Sequence, residues 1–268
     1  MAAAPQTIVL IHGMWMTPLS WEHWVERFHG QGHEVLAPAW PGLDKEPAAL
    51  VSDPSPLHGL SVTAVVDSYE TIIRGLDRPP IIIGHSFGGL ITQLLLDRGL
   101  GSAGVALGTA TPRGVFPLPF STLRASWPAL KNPFGKNHDA PLSRDQFHWC
   151  FTNVLSREES DAVYDRYYIP GSARMFFQAA YSRSVTKVRF DNPHRPPLVL
   201  ATGAEDRICP APLNVANWKK QNRAPAATEH REYPGRCHYP GQDGWEEVAD
   251  FLLGWTVEHS NQPSETPA

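Results

Sequence analysis

The stretch Ile81–Gly89, "IIIGHSFGG", passes from three β-branched apolar residues directly into small and polar ones. The apolar run predicts a short strand buried on both faces, and the helical spacing from about Gly89 to Asp97 predicts a helix after it. Residues 84–88 between them read Gly-x-Ser-x-Gly, a pattern that is informative in a strand-to-helix context. The sequence therefore predicts a sharp turn that exposes Ser86 at a helix N-terminus, where backbone N–H groups favour developing negative charge.

The same alternation of apolar runs and helical stripes extends through much of the chain. Further strands are predicted at Thr7–Ile11, Glu34–Ala37, Gly104–Leu107, Leu198–Thr202 and Glu229–Tyr233. Further helices are predicted at Trp21–Phe28, with Ser20 as its N-cap, and at Val62–Leu76, Ala211–Asn222 and Trp245–Val257. Regular alternation of this kind predicts an α/β fold in which helices cover both faces of a parallel sheet.

The alternation breaks between Thr111 and Pro193. This segment is rich in aromatic residues and contains no convincing long strand, so residues 112–193 are predicted to form a helical insertion. Residues 1–111 and 194–258 then form the α/β core. The polar, proline-containing tail 259–268 is predicted to be disordered.

Composition limits the partners and the compartment. The chain has 268 residues and a formal net charge of −4, which suits one large domain and shows no Lys and Arg cluster of the kind that binds nucleic acid or an anionic membrane. The N-terminal apolar run is short and no basic residue precedes it, which argues against a signal peptide or a membrane span. Three widely spaced cysteines favour neither a disulfide framework nor a metal site. We expect a cytoplasmic protein with a small-molecule substrate.

A serine hydroxyl becomes a good nucleophile only when a base takes its proton. His238 follows the last predicted strand and therefore lies at the same carboxyl edge of the sheet as Ser86, whereas His12 and His85 are expected to be structural neighbours.

The acid that orients the base should lie on another loop at that edge. The segment "GAEDRICP", after the predicted strand Leu198–Thr202, offers Glu205 and Asp206. We favour Asp206, because aspartate orients the imidazole in most such triads. Glu205 stays the alternative. A further possibility is that either acid serves only as the cap of the helix that follows.

An oxyanion hole requires two backbone N–H groups, each contributing about 3 to 4 kcal/mol to transition-state stabilisation. One is expected from Phe87, the residue after the predicted nucleophile. The other is expected from the loop after the first strand, "HGMWMTPLSW", where Met14 follows His-Gly. Trp15 is a less favoured donor, and its ring is expected to line the pocket.

Taken together, these features resemble the α/β-hydrolase superfamily over nearly the whole chain. The resemblance rests on three loops in the order Ser86, Asp206, His238, on the early His-Gly loop, and on a helical insertion after the fourth strand. The segment from residue 8 to residue 42 is most similar to single-domain esterases, hydroxynitrile lyases and cofactor-free haloperoxidase-like hydrolases.

The resemblance carries several implications for the site and the fold. The residue after His-Gly supplies an oxyanion N–H in those relatives, which supports Met14. Many members have two antiparallel strands before the His-Gly strand, and this chain has too few residues before Ile8 to form them. We therefore expect an α/β-hydrolase fold with a mostly parallel sheet of about six strands. The insertion is expected to act as an apolar cap, from which Arg113 and Tyr181 are candidates for contacting a polar substrate group.

These features predict a serine hydrolase that cleaves a carboxylic ester, thioester or lactone through an acyl-enzyme, as a monomer or homodimer and with no metal or organic cofactor. One alternative is a lyase or C–C bond hydrolase in which Ser86 and His238 move protons. Hydroxynitrile lyases often need an extra lysine, which Lys131, Lys136 or Lys187 could supply. A catalytically silent binding protein is disfavoured, because no member of the triad is missing.

Overall fold

The computed structural model describes residues 5–116 and 118–260. The strands are β1 (Thr7–Ile11), β2 (Glu34–Leu36), β3 (Ile81–His85), β4 (Ala103–Leu107), β5 (Asp139–Ala140), β6 (Gly171–Ser172), β7 (Leu198–Gly203) and β8 (Thr228–Tyr233). The α-helices are α1 (Glu22–Gly30), α2 (Pro47–Ser52), α3 (Val62–Arg74), α4 (Phe87–Asp97), α5 (Phe120–Leu130), α6 (Arg144–Cys150), α7 (Arg157–Tyr167), α8 (Ala173–Tyr181), α9 (Ala211–Gln221) and α10 (Trp245–Ser260).

Six of these strands form one sheet in the order β2-β1-β3-β4-β7-β8, and every neighbouring pair is parallel. The predicted six-stranded, mostly parallel sheet is thus confirmed. Strand β3 lies near the centre, where Ile83 pairs with Leu10 of β1 and with Val105 of β4. All five residues of β3 are buried, as a parallel strand covered on both faces requires.

Successive side chains of each strand point to opposite faces, so the sheet separates two apolar layers. Ile8 and Leu10 pack in one layer with side chains of α1 and α10. Val9 and Ile11 pack in the other layer with side chains of α3 and α4. This two-sided burial leaves the carboxyl ends of the strands, rather than the faces of the sheet, free to carry polar groups.

The segment between β4 and β7 contains α5 to α8. Its only strands among the described residues are the two-residue pair β5 and β6, which is antiparallel and separate from the main sheet. The division of the chain into a core and an insertion over residues 112–193 stays a prediction. Within the described ranges, no helix combines the length and the apolar character that crossing a bilayer requires.

Two predicted helix ends differ from the structure. Ser20 does not cap α1, because Thr17 caps a short 3-10 helix at Pro18–Trp21 that precedes it. At the other end of the chain α10 continues to Ser260, so the first two residues of the predicted disordered tail are helical. The ring of His259 stacks on Trp255 with centroids 4.0 Å apart, which stabilises that last turn. The rest of the predicted tail, residues 261–268, lies outside the described residues.

Candidate active site

Ser86 occupies a strained turn between β3 and α4. Its backbone angles are φ 57° and ψ −119°, and apart from Trp15 it is the only described non-glycine residue with a positive φ. Such a conformation costs about 1 to 3 kcal/mol and persists only where surrounding contacts fix it. Here the Ser86 N–H donates to Leu107 O over 2.9 Å, and its carbonyl accepts from Ala110 N over 3.1 Å.

Glycines permit this turn because neighbouring backbone passes too close for a side chain. A Cβ atom on Gly88 would lie 2.1 Å from Ile11 O, and one on Gly84 would lie 2.1 Å from Gly88 O. A Cβ on Gly13 would meet the Cβ of Ser86 at 2.9 Å. The end of β1, the turn and the start of α4 are therefore packed backbone against backbone.

Substituting Gly88 tests this packing. We expect Gly88→Ala to lower the free energy of unfolding by about 3 kcal/mol, because the atoms its methyl group meets are backbone atoms that cannot rotate away. The matched control is Gly254→Ala in α10, where nothing lies within 4 Å of the added Cβ. That control should stabilise the protein by up to about 1 kcal/mol. Urea unfolding measures both, and equal effects would contradict the account of the turn.

His238 and Asp206 form a buried pair. His238 Nδ1 lies 2.7 Å from Asp206 Oδ2, and the other carboxylate oxygen accepts from Ile208 N and Cys209 N at 2.8 Å each. Nδ1 is the ring nitrogen that faces the carboxylate, which leaves Nε2 as the other nitrogen of the ring. Nε2 is buried and has no hydrogen-bond partner among the described residues.

The two carboxyl groups that the sequence offered occupy different places. Asp206 contacts His238, whereas Glu205 is exposed and only its backbone carbonyl is used, by Asn153 Nδ2 at 3.0 Å. Asp206 does not cap α9, because the N-cap of that helix is Pro210. Its second oxygen instead holds the turn that follows it.

Other rings hold the loop of His238 in place. His85 Nε2 lies 2.8 Å from His238 O, and the His85 and Phe151 rings lie 4.6 and 4.8 Å from the imidazole of His238. Burial, with a smaller contribution from the charge of His238, lowers the pKa of His85 well below its ordinary value. Burial also lowers the pKa of His12 to about 4, and its ring stacks on Trp40. Both histidines are therefore neutral near pH 7, and it is His238 that contacts Asp206.

Phe87 directly follows Ser86, and Met14 directly follows Gly13, which packs against Ser86. Phe87 is the first residue of α4, so its N–H has no acceptor inside that helix. Met14 follows Gly13 and is buried, and its Sδ accepts from Ser172 N at 3.3 Å. No acceptor for the N–H of Met14 or of Phe87 appears among the hydrogen bonds of the described residues.

A cavity of about 350 Å³ opens on Ser86. Apart from Ser86, its lining comprises Trp15, Phe87, Ala110, Thr111, Arg113, Gly114, Val115, Phe116, Leu118, Thr122, Leu123, Ser126, Leu130, Phe176, Ala179, Ala180, Ile208, Cys209 and Leu213. Arg113 is the one charged side chain in this lining, and it donates from Nη1 to Ser182 O at 2.9 Å. The volume and the apolar character suit a small organic molecule.

Of the three side chains predicted to contact substrate, Trp15 and Arg113 line the cavity and Tyr181 does not. Tyr181 is two-thirds exposed and packs beside Phe177, four residues earlier in α8. Phe176 and Ala180 line the cavity from the adjacent face of the same helix. Each helical residue turns by 100°, so the face that carries Phe177 and Tyr181 points away from the cavity.

Sequence reasoning missed Gly108, which follows β4 directly. Its φ is +47°, and a Cβ there would lie 3.2 Å from Asp206 Oδ2 and 3.5 Å from His238 Nδ1. The absence of a side chain on Gly108 thus leaves room for Asp206 and His238. The sequence signal that could have identified this position is a glycine immediately after a predicted buried strand. Sequence reasoning also missed Ile208 and Cys209, whose N–H groups hold Asp206 while both residues line the cavity.

Several solved structures have a fold similar to that of this chain. The fold is similar to that of the monoacylglycerol lipase of Paleococcus ferrophilus, at 18% identity, TM-score 0.65 and 96% coverage of each chain. It is similar to polyneuridine aldehyde esterase, at 17% identity, TM-score 0.68 and coverage of 94% of this chain and 100% of that one. It is also similar to tomato methylketone synthase I in complex with 2-tridecanone, at 14% identity, TM-score 0.69 and coverage of 96% and 99%. No curated protein matches the chain.

Because these identities are low, the three structures demonstrate a common fold and nothing beyond it. The family model described as the alpha/beta hydrolase family matches residues 8–251, which include the loops of Ser86, Asp206 and His238 and all of the main sheet except Thr7. The chain therefore belongs to the α/β-hydrolase family.

Proposed function

We propose that the protein is a serine hydrolase that cleaves a carboxylic ester or a related acyl compound. Ser86 is the nucleophile, His238 the general base, and Asp206 the acid that orients it. The observation that carries the proposal is the buried His238–Asp206 pair at the same sheet edge as Ser86, which is held at a positive φ. Nε2 of His238 has no hydrogen-bond partner among the described residues.

The proposed reaction has two halves. Ser86 Oγ attacks the substrate carbonyl while His238 Nε2 takes the hydroxyl proton, and Asp206 stabilises the imidazolium that forms. The N–H groups of Met14 and Phe87 bind the oxyanion. His238 then returns the proton to the departing alcohol, which leaves an acyl-enzyme. Water attacks the acyl-enzyme by the same route and releases the acid, so the enzyme is restored.

The cavity suggests the substrate class. Its lining is mainly aliphatic and aromatic, which favours an apolar acyl or alcohol group over a sugar or a nucleotide. Arg113 is exposed and adds one cationic group to this lining. We propose that it contacts a polar or anionic end of the substrate.

The lyase alternative receives no support from the cavity. Lys131, Lys136 and Lys187 are all exposed, and none of them lines it. A silent binding protein is also disfavoured, because a buried ionisable pair and a strained turn are costly features that a binding site of this kind does not need.

Product partitioning tests the acyl-enzyme directly. With methanol in the buffer, p-nitrophenyl, phenyl and thiophenyl butyrates should give the same ratio of methyl butyrate to butyrate, since all three form one butyryl-enzyme. Gas chromatography of the products measures that ratio. A ratio that depends on the leaving group, or no cleavage of any ester in an acyl-length series, would contradict the proposal.

A further inference from the structure

Five large apolar side chains are exposed in the segment before α5 and along that helix. They are Phe116, Leu118, Phe120, Leu123 and Trp127, here called the rim patch. Their exposed fractions run from 49% for Leu123 to 78% for Phe120. Scattered exposed apolar residues are ordinary on a protein surface, but a contiguous group of this kind marks an interaction site.

The geometry of α5 places the rim patch at the mouth of the cavity. Ala125 and Ala129 are buried on one side of the helix. Thr122, Ser126 and Leu130 line the cavity from the next face, and Phe120, Leu123 and Trp127 share the solvent face. Three members of the patch, Phe116, Leu118 and Leu123, are exposed and also line the cavity. The opening of the cavity is therefore bordered by apolar side chains.

The charged residues of the segment that carries the rim patch are all of one sign. Residues 111–137 contain Arg113, Arg124, Lys131 and Lys136 and no aspartate or glutamate, although the whole chain has a net charge of −4. None of these four forms an ion pair within the described part of the chain. Arg124 and Lys131 lie on the same face of α5 as Phe120 and Trp127. A helix face with aromatic and basic residues is typical of proteins that bind lipid surfaces.

We propose that the rim patch docks the protein on an anionic lipid surface. Phe120 and Trp127 enter the boundary between headgroups and acyl chains, and Lys131 and Lys136 meet the lipid phosphates. A second copy of this chain is a poorer occupant. A two-fold interface sets the same patch against itself, which would bring eight cations together with no carboxylate in the segment to offset them.

This proposal revises the expectation that the protein has no membrane partner. That expectation rested on the net charge, which averages a basic segment with an acidic remainder. Docking would also place the mouth of the cavity against the lipid, so that an acyl substrate could enter without crossing water. Only this last consequence rests on the proposed function; the binding itself does not.

Vesicle binding tests the proposal without any hydrolysis. In a Ser86→Ala background, co-sedimentation should show binding to vesicles of equimolar phosphatidylcholine and phosphatidylglycerol that is at least about tenfold tighter than to phosphatidylcholine alone. Phe120→Glu with Trp127→Glu should weaken binding at least about tenfold. The control is Val51→Glu, which changes an exposed valine of α2 and should bind as its parent does.

Two further measurements separate the possible outcomes. Lys131→Glu with Lys136→Glu should abolish the preference for anionic vesicles. With Ser86 intact, the Phe120 and Trp127 double variant should hydrolyse a soluble short-chain ester at the parental rate, which shows that it folds. Absence of vesicle binding by the parent, or unchanged binding by the double variant, would overturn the proposal. So would a concentration-dependent dimer that the double variant abolishes, because the occupant would then be a second copy.

Discussion

Replacing Ser86 with alanine is expected to lower kcat for p-nitrophenyl butyrate by about 10⁴- to 10⁶-fold. Without the hydroxyl no acyl-enzyme forms, and only the oxyanion donors and substrate binding remain. The side chain of Ser86 makes no capping hydrogen bond to α4, so its removal should leave the midpoint of thermal unfolding almost unchanged. Release of p-nitrophenol at saturating substrate measures the effect.

The matched control is Ser126→Ala, which removes a second hydroxyl from the lining of the same cavity. It should change kcat by no more than about threefold, since surface and pocket substitutions away from the chemistry have small effects. If Ser86→Ala kept activity within tenfold of the parent, or if Ser126→Ala were the more damaging change, the nucleophile would be wrongly assigned.

Asp206→Asn is expected to lower kcat by about 10⁴-fold. An asparagine amide can donate to Nδ1, which favours the tautomer with the proton on Nε2, and that nitrogen then cannot accept the proton of Ser86. An amide oxygen in place of Oδ1 can still accept from Ile208 N and Cys209 N, so the loop should keep its conformation.

The control for this change lies one residue earlier in the chain. Glu205 is exposed and its carboxylate does not contact His238, so Glu205→Gln should alter kcat by less than about threefold. The same ester assay compares the two variants at equal protein concentration. A larger loss from Glu205→Gln than from Asp206→Asn would move the orienting acid to Glu205.

Much of the sheet could be predicted because its strands are short apolar runs with clear ends. Ile81–Ile83 could hardly be anything but a buried strand, and the structure extends it only to His85. The start of α4 was less predictable. Glycine and serine are poor helix formers, so the pattern placed the start near Gly89, whereas the turn at Ser86 begins the helix at Phe87. That turn depends on the approach of β1, whose last residue, Ile11, lies 75 residues before Ser86 in the chain.

The insertion shows where sequence patterns fail. Its aromatic residues predicted helices and an apolar pocket, but not which face of each helix borders the cavity. Phe176 lines it and Tyr181 points away, although both are aromatic residues of α8. Phe120 and Trp127 are exposed in the structure, although aromatic side chains are more often buried. Only tertiary packing decides these orientations. The periodicity of a sequence shows that one face of a helix is apolar, but it does not show which part of the protein packs against that face.

The most direct test of the proposed hydrolase is covalent labelling with a fluorophosphonate probe. The probe phosphonylates a serine only when a neighbouring base activates it, and it expels fluoride. Digestion and mass spectrometry should find one phosphonate per chain, on the peptide that contains Ser86. His238→Ala should abolish the labelling, and Ser126→Ala should not. A folded protein that takes up no probe, or that takes it up at a residue other than Ser86, would contradict the account.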